Sequence, residues 1–536
     1  LPAFAPAYRP LSEVDALLAA YADAAPGVAR RLAVAPGLNG IELGASGPLA
    51  LEERPMVLLV GGLDGTSLAG GEAVLATVDH LLRAPERLPE GVAFVAIPWA
   101  SPYALGRTLE GRAEGGRDGR PLDEDGDGRV DEDGPDDLDG DGLLLWMLIE
   151  DPHGAWVRAA DGRFLAPARE GDAPRYSLVR EGRDDDHDGR FNEDPAGGVV
   201  LDRNFPVDRT GPWEDPACGP LPLSEPQVRA LADLALARRT SLVILFQGNH
   251  GALAIPGGVD RPDGGGLCSP VELRTFERIT AAFAAATGRA QAGPMTLRRA
   301  HGSQRPGAAL DWFHAVVGAI SLELAPWGPG VDGDGEVVAQ DARFDSGAQE
   351  GGRRLAGQPE ASERDRAWAR WLDNTRGGLG FVEWHPVDLG GGQQALVGGW
   401  EPRTVDNPPP ESLGRALRGI PDLVLELASA LPRLEVRVLE SSREGDVCRV
   451  TARVKNAGLL PSGVGASPLR RGVSLALELP PGARLLAGEP RVALGSLQGG
   501  ATSETCAWIL MAPPGSVLGV RASADCAAEV VREVRP

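Results

Sequence analysis

Ser224-Glu225-Pro226-Gln227, an Ala/Leu-rich run to Arg239, the apolar Ser241-Leu242-Val243-Ile244-Leu245-Phe246, and Gln247-Gly248-Asn249-His250 follow in succession. Serine, an early proline and a glutamine two residues past the first glutamate predict a helix start. The helix should run to Arg239, and Ser241 to Phe246 should be a buried strand that delivers Gln247 to His250 at its C-terminal end. Helix, then strand, then polar residues is the pattern of an α/β sheet whose site lies at the strand ends. Working outward, Met56–Gly62, Val92–Pro98 and Ala319–Leu324 are further buried-strand runs. Val14–Ala24, Gly71–Leu82 and Asp311–Val317 read as helices between them.

The pattern changes after Leu431. Leu434–Val438, Val447–Val454, Val473–Leu479, Trp508–Met511 and Val517–Ala522 are short apolar or alternating runs separated by Gly/Pro turns. Such spacing predicts a β-sandwich. A helical segment, Ile420–Ala430, precedes it, so the expected division is an α/β domain over 1–430 and a sandwich over 431–536.

The chain has 536 residues, 43% of them hydrophobic and 24% charged, enough for a substantial core and unlike a disordered tail. No apolar run is long enough to span a bilayer. A net charge of −23 repels nucleic acid, so neither a membrane span nor a nucleic-acid partner is expected. Five cysteines, Cys218, Cys268, Cys448, Cys506 and Cys526, lack metal-ligand spacing. Cys218 with Cys268, and two of the last three, could pair in an oxidising compartment; buried free thiols are the alternative. A secreted or periplasmic protein is expected, although no signal peptide is visible in the chain.

The acidity is local. Residues 121–142 and 184–194 together carry 17 acidic against 2 basic residues, most of the net charge. Asp123-x-Asp125-x-Asp127-Gly128-x-x-Asp131-Glu132-Asp133 recurs 61 residues later as Asp184-x-Asp186-x-Asp188-Gly189-x-x-Asn192-Glu193-Asp194. Carboxylates at alternate positions closed by a glycine turn can wrap oxygens around one hard cation, and calcium is the natural occupant. Both loops lack the flanking helices and terminal glutamate of an EF-hand and read as single-loop calcium sites. Asp137-x-Asp139-x-Asp141-Gly142 could add a third site or complete the first. They sit in an expected insert over about 118–195.

Two segments resemble the zinc carboxypeptidases of the carboxypeptidase A type. Val200-Leu201-Asp202-Arg203-Asn204-Phe205-Pro206 is similar to that family's D-L-N-R-N-F-P segment. Ala309-Leu310-Asp311-Trp312 through Ser321-Leu322-Glu323-Leu324 is similar to its S-x-D-W … E-L segment. The resemblance implies a mixed sheet covered by helices, with His250 as a zinc ligand, Glu323 as the general base, and Arg203 with Asn204 binding a peptide's C-terminal carboxylate. It also locates a departure. Gly61-Gly62-Leu63-Asp64-Gly65-Thr66-Ser67 aligns with the family's G-G-x-H-G-x-E, which places Asp64 at a zinc-ligating His and Ser67 at a zinc-ligating Glu. Asp202 replaces an Asn, and the family's tyrosine would fall near Ser303. His301 is the one further histidine considered as a ligand. The zinc site is therefore degenerate. Two readings follow: a calcium-binding, carboxypeptidase-like protein with weak or no peptidase activity that still holds a peptide end, or an active secreted metallocarboxypeptidase.

Overall fold

The computed structural model describes residues 1–112, 115–121, 128–131, 133–185, 187, 189–192, 197–257, 266–289, 295–296, 305–328, 363–404, 406–465, 467 and 472–536. Its centre is an eight-stranded mixed sheet. In chain order the strands are β1 (Ala29–Ala35), β2 (Leu38–Leu43), β3 (Pro55–Gly61), β4 (Ala93–Ile97), β5 (Arg239–Phe246), β6 (Leu253–Ile255), β7 (Met295–Thr296) and β8 (Ile320–Leu324). Their spatial order is β1-β2-β4-β3-β5-β8-β6-β7. The four middle strands β4, β3, β5 and β8 are parallel, and β1, β2 and β6 join antiparallel.

Alternation along the strands loads both faces. In β3, Val57 and Leu59 enter the core beneath helices Leu11–Ala24, Leu68–Arg83, Pro270–Thr287 and Ile420–Ser429. Met56, Leu58 and Val60 enter the opposite core, with helix Pro226–Ala237 and residues 308–319. A continuous apolar run is what a strand covered on both sides requires. Gly70 is needed because a Cβ there would collide with the Phe246 carbonyl, so helix Leu68–Arg83 can press directly on the end of β5.

The mixed sheet with its flanking helices and the C-terminal β-sandwich agree with the sequence reading, with local corrections. Glu225 rather than Ser224 occupies the N-cap position of helix Pro226–Ala237, with no side-chain cap bond, and the Ser224 hydroxyl instead donates to Glu225 Oε1 at 2.6 Å. The expected helix over Asp311–Val317 is an α-turn, Ala309–Trp312, running into a π-turn, Phe313–Val317. The sandwich has eight strands in two four-stranded antiparallel sheets over Leu434–Val534. Arg484–Ala487, Arg491–Gly495 and Ala527–Val534 are the three that periodicity did not suggest. Strand Leu518–Ala524 alternates buried and half-buried residues throughout, as one wall of a two-sheet core should. Arg239 donates to the Ala524 carbonyl at 3.0 Å and Ser241 to the Cys526 carbonyl at 2.6 Å, tying the start of β5 to this sandwich. All five cysteines are free thiols.

The acidic segment is more than a loop. Trp146–Glu150, Trp156–Arg158, Leu165–Pro167 and Tyr176–Arg180 join the hairpin Phe381–Gly390 and Gln393–Trp400 in a second, six-stranded antiparallel sheet. Trp384 packs there with Trp146, Leu148 and Leu165. Among the described residues no helix is long and apolar enough to cross a membrane.

Candidate functional site

Parallel pairing builds the site. Gly61 lies opposite Phe246, and Phe246 opposite Leu324, so the C-terminal ends of β3, β5 and β8 are level. The turn after β3, the Gln247–His250 loop after β5, and Glu323 on β8 therefore meet at one sheet edge.

Asp64 is held by backbone. Its Oδ1 accepts from Thr66 N at 3.2 Å and Ser67 N at 3.1 Å, and its Oδ2 accepts from Gly248 N at 2.8 Å. Burial pushes its carboxyl up, opposed by the Gly248 N–H and the Arg305 charge. Ser67 is buried, and its hydroxyl donates to the Gly248 carbonyl at 3.4 Å. Gly248 has φ +81°, and a Cβ there would lie 3.0 Å from Glu323 Oε1, so only glycine fits between the turn and the glutamate. Asn407, far along the chain, clamps the same turn: it accepts from Ala69 N at 2.9 Å and donates to the Thr66 carbonyl at 2.8 Å.

Glu323 is fully buried and surrounded by donors. His250 Nε2 lies 3.2 Å from Oε1, and Gln247 Nε2 donates to Oε2 at 2.9 Å. Arg305 Nη1 donates to both oxygens at 3.1 Å, while its Nη2 pairs with Asp202. Asp202, also fully buried, accepts from Ala309 N at 3.2 Å. Arg305 is the site residue that sequence reasoning missed. Gln304-Arg305-Pro306 has no periodicity or motif, and only the fold brings it back onto β8.

Arg203 and Asn204, next in the chain to Asp202, engage further partners. Arg203 Nη2 pairs with buried Asp215 at 2.5 Å. Asn204 donates to the Cys218 and Leu221 carbonyls at 2.9 Å each and to Ser224 Oγ at 3.0 Å, and it accepts from Glu225 N at 3.2 Å. It thereby pins the 218–225 segment ahead of helix Pro226–Ala237.

Zinc, which the resemblance implies, does not fit these residues. A zinc site needs three or four donors converging at about 2.0–2.3 Å. Both Asp64 oxygens accept backbone N–H groups, Ser67 is neutral, His250 Nε2 lies against Glu323, and a guanidinium already lies on Glu323. Among the described residues, the one group of three metal-capable side chains with ligand atoms within 4.8 Å of each other is Asp137, Asp139 and Asp141.

That group belongs to the acidic segment. Asp123, Asp125, Asp127, Asp186, Asp188 and Asp194, like His301 and Ser303, lie outside the described residues; Asp131, Asp133, Asp184 and Asn192 lie within them. Equivalent positions share backbone: Gly128, Gly189 and Gly142 have φ of 95°, 93° and 87°, and Asp131 and Asn192 both have φ 55°. Gly189 N donates to Asp184 Oδ2 at 3.0 Å and Gly142 N to Asp137 Oδ2 at 2.9 Å, the same bond in two loops. Asp133 links the repeats, accepting from Asp185 N at 3.0 Å and Asn192 N at 2.6 Å. Beneath them Glu181, fully buried, accepts from Leu138 N at 2.7 Å and Leu145 N at 3.0 Å. Burial, reinforced by Asp139 and Asp137, raises its pKa to about 7 against those two N–H groups. His385, on the late hairpin, lies 2.7 Å from Asp139 Oδ2.

A family model described as a domain of unknown function, DUF8731, matches residues 433–535, the sandwich. No curated protein matches the sequence. Solved structures that resemble the fold include bovine thrombin-activatable fibrinolysis inhibitor in complex with tick carboxypeptidase inhibitor. That match has 12% identity and a TM-score of 0.38, over 59% of this chain and 86% of that one. Another is a metallo-carboxypeptidase from Burkholderia cenocepacia, with 13% identity and a TM-score of 0.30, over 59% of this chain and 60% of that one. A carboxypeptidase A homologue from Shewanella denitrificans gives the same identity and TM-score over 61% of its length.

Proposed function

We propose that this chain is a carboxypeptidase-like protein without zinc-dependent peptidase activity, whose acidic insert binds calcium and whose cleft holds a peptide end. The observation that carries this reading is the environment of Glu323. A general base must have an oxygen available to a water, and a metal must lower that water's pKa. Here Arg305, Gln247 and His250 take up both carboxylate oxygens, and Asp64 is held by three backbone N–H groups. Among the described residues, the metallopeptidase alternative has no comparable support from the geometry.

Calcium binding is supported by the repeated Asp-x-Asp-x-Asp-Gly spacing, the shared backbone of the loops and the convergence of Asp137, Asp139 and Asp141. Carboxylates at this density repel one another unless a cation joins them. Peptide binding would use Arg203, whose partner Asp215 a terminal carboxylate would have to replace. Secretion into a calcium-rich compartment fits this reading. The test is calorimetry with calcium and magnesium on the full chain, alongside release of C-terminal residues from a mixed peptide set. Calcium-selective heat with no peptide cleavage is expected. Cleavage abolished by a zinc-selective chelator would overturn the reading.

A further inference from the structure

We infer that Arg305 is the resident cation of this site, a guanidinium carried by the chain that joins Asp202 to Glu323 beside positions where a metal ion does not fit. The inference rests on the metal-free reading above and assigns a residue to the consequence of that reading. Three carboxylates gather here: Asp202 and Glu323 are completely removed from solvent, and Asp64 is half-buried. Buried carboxylates of this kind persist only when paired and hydrogen-bonded. Asp64 is satisfied locally by backbone. Asp202 and Glu323 come from separate segments, and the group that bridges them is Arg305, with one nitrogen on both Glu323 oxygens and the other on Asp202.

The chemistry suits a guanidinium. It is planar, stays charged, is weakly hydrated and offers its donors in a fixed fork, so it can join two carboxylates where a lysine ammonium would act as a single point charge. The Arg305 side chain is 13% exposed against 0% for both acids, so the cation is the most solvent-accessible of the three groups. Removing it should leave two buried acids beside His250, a combination that accepts a small cation from solution.

The experiment uses the full chain with calcium in excess, so that the acidic loops stay constant. Wild type, Arg305→Ala and Arg305→Lys are melted alone and with zinc chloride, manganese chloride or methylguanidinium chloride. Wild type should carry no transition metal and should not respond to these cations. Arg305→Ala should melt lower and regain about 5 °C when a cation is present at about 100-fold its Kd. Arg305→Lys should lie between the two and ignore the metals. Adding Glu323→Gln to Arg305→Ala should raise its melting temperature and remove the response. If Arg305→Ala does not accumulate, the Arg305→Ala/Glu323→Gln double variant should.

A folded Arg305→Ala that no cation stabilises, with wild type free of metal, would overturn this inference and leave the metal-free reading standing. Failure of both the single and the double variant to fold would also overturn it. Stoichiometric zinc at the site in wild type would instead overturn the metal-free reading itself.

Discussion

Replacing Glu181 with glutamine separates the electrostatics of the acidic segment from its packing. Glu181 is buried beneath the Asp137–Asp141 turn and braces it through Leu138 N and Leu145 N. Its pKa is raised from 4.5 to about 7, chiefly by burial. The unfolded chain therefore releases this proton at lower pH than the folded one. The stability involved is complete below about pH 4.5 and is lost as pH rises through about 7. A shift of this size corresponds to about 3 kcal/mol in a dry site; discounted for water reaching the loop it is about 1–2 kcal/mol. That is a fall of about 2–6 °C in melting temperature across the window. Glu72, raised to about 7, and Asp118, raised to about 6, contribute to the same window in both proteins, so the difference between wild type and Glu181→Gln isolates Glu181. A calcium ion on Asp137, Asp139 and Asp141 would favour the ionised Glu181 and flatten the wild-type curve. The assay is melting against pH from 4 to 8, with and without calcium, for both proteins. A difference curve that is flat without calcium, or unchanged by it, would refute the reasoning.

Three further outcomes are expected. Asn204→Ala should lower stability by about 2–4 kcal/mol in chemical denaturation, because four hydrogen bonds that fix the 218–225 segment disappear, and should leave peptide affinity little changed. Asp215→Asn should strengthen binding of peptides with a free C-terminus, measured by calorimetry, and leave C-terminally amidated peptides unaffected, since it weakens the present partner of Arg203. Asp64→His with Ser67→Glu should gain little zinc while Arg305 remains, whereas the same pair combined with Arg305→Gln should bind it measurably in a competition titration. Equal affinity with and without Arg305 would show that its charge does not oppose the metal.

Much of the fold was readable because its signals are local. The β3 run and the Leu242–Phe246 part of β5 are continuously apolar since both sheet faces are covered, and they end at Gly61 and before Gln247; β8 keeps Ile320, Leu322 and Leu324 apolar around Ser321 and Glu323. The convergence of Asp64, Gln247–His250 and Glu323 then follows from parallel pairing alone. What stayed hidden depends on distant pairing. Trp146–Glu150 meets Gln393–Trp400 across more than two hundred residues, and nothing within either segment names its partner. Trp384-His385-Pro386 and Gly398-Gly399-Trp400 are strand residues of that second sheet, although their proline and glycines disfavour strands locally. Arg305 and Asn407 act only after folding carries them to the site, and 52 of the 53 basic residues are arginines, so an arginine gives no signal by type. Arg203 was legible as a cation but not its engagement with Asp215, which lies in a segment of turns and short 3₁₀ structure.

The central claim is that no zinc occupies the edge where β3, β5 and β8 end. Elemental analysis of the purified full chain, after dialysis against calcium-containing buffer and again after adding zinc, tests it most directly. Bound calcium with zinc far below one ion per chain is the predicted result. One tightly held zinc per chain, lost on Asp64→Ala and on His250→Ala, would contradict it.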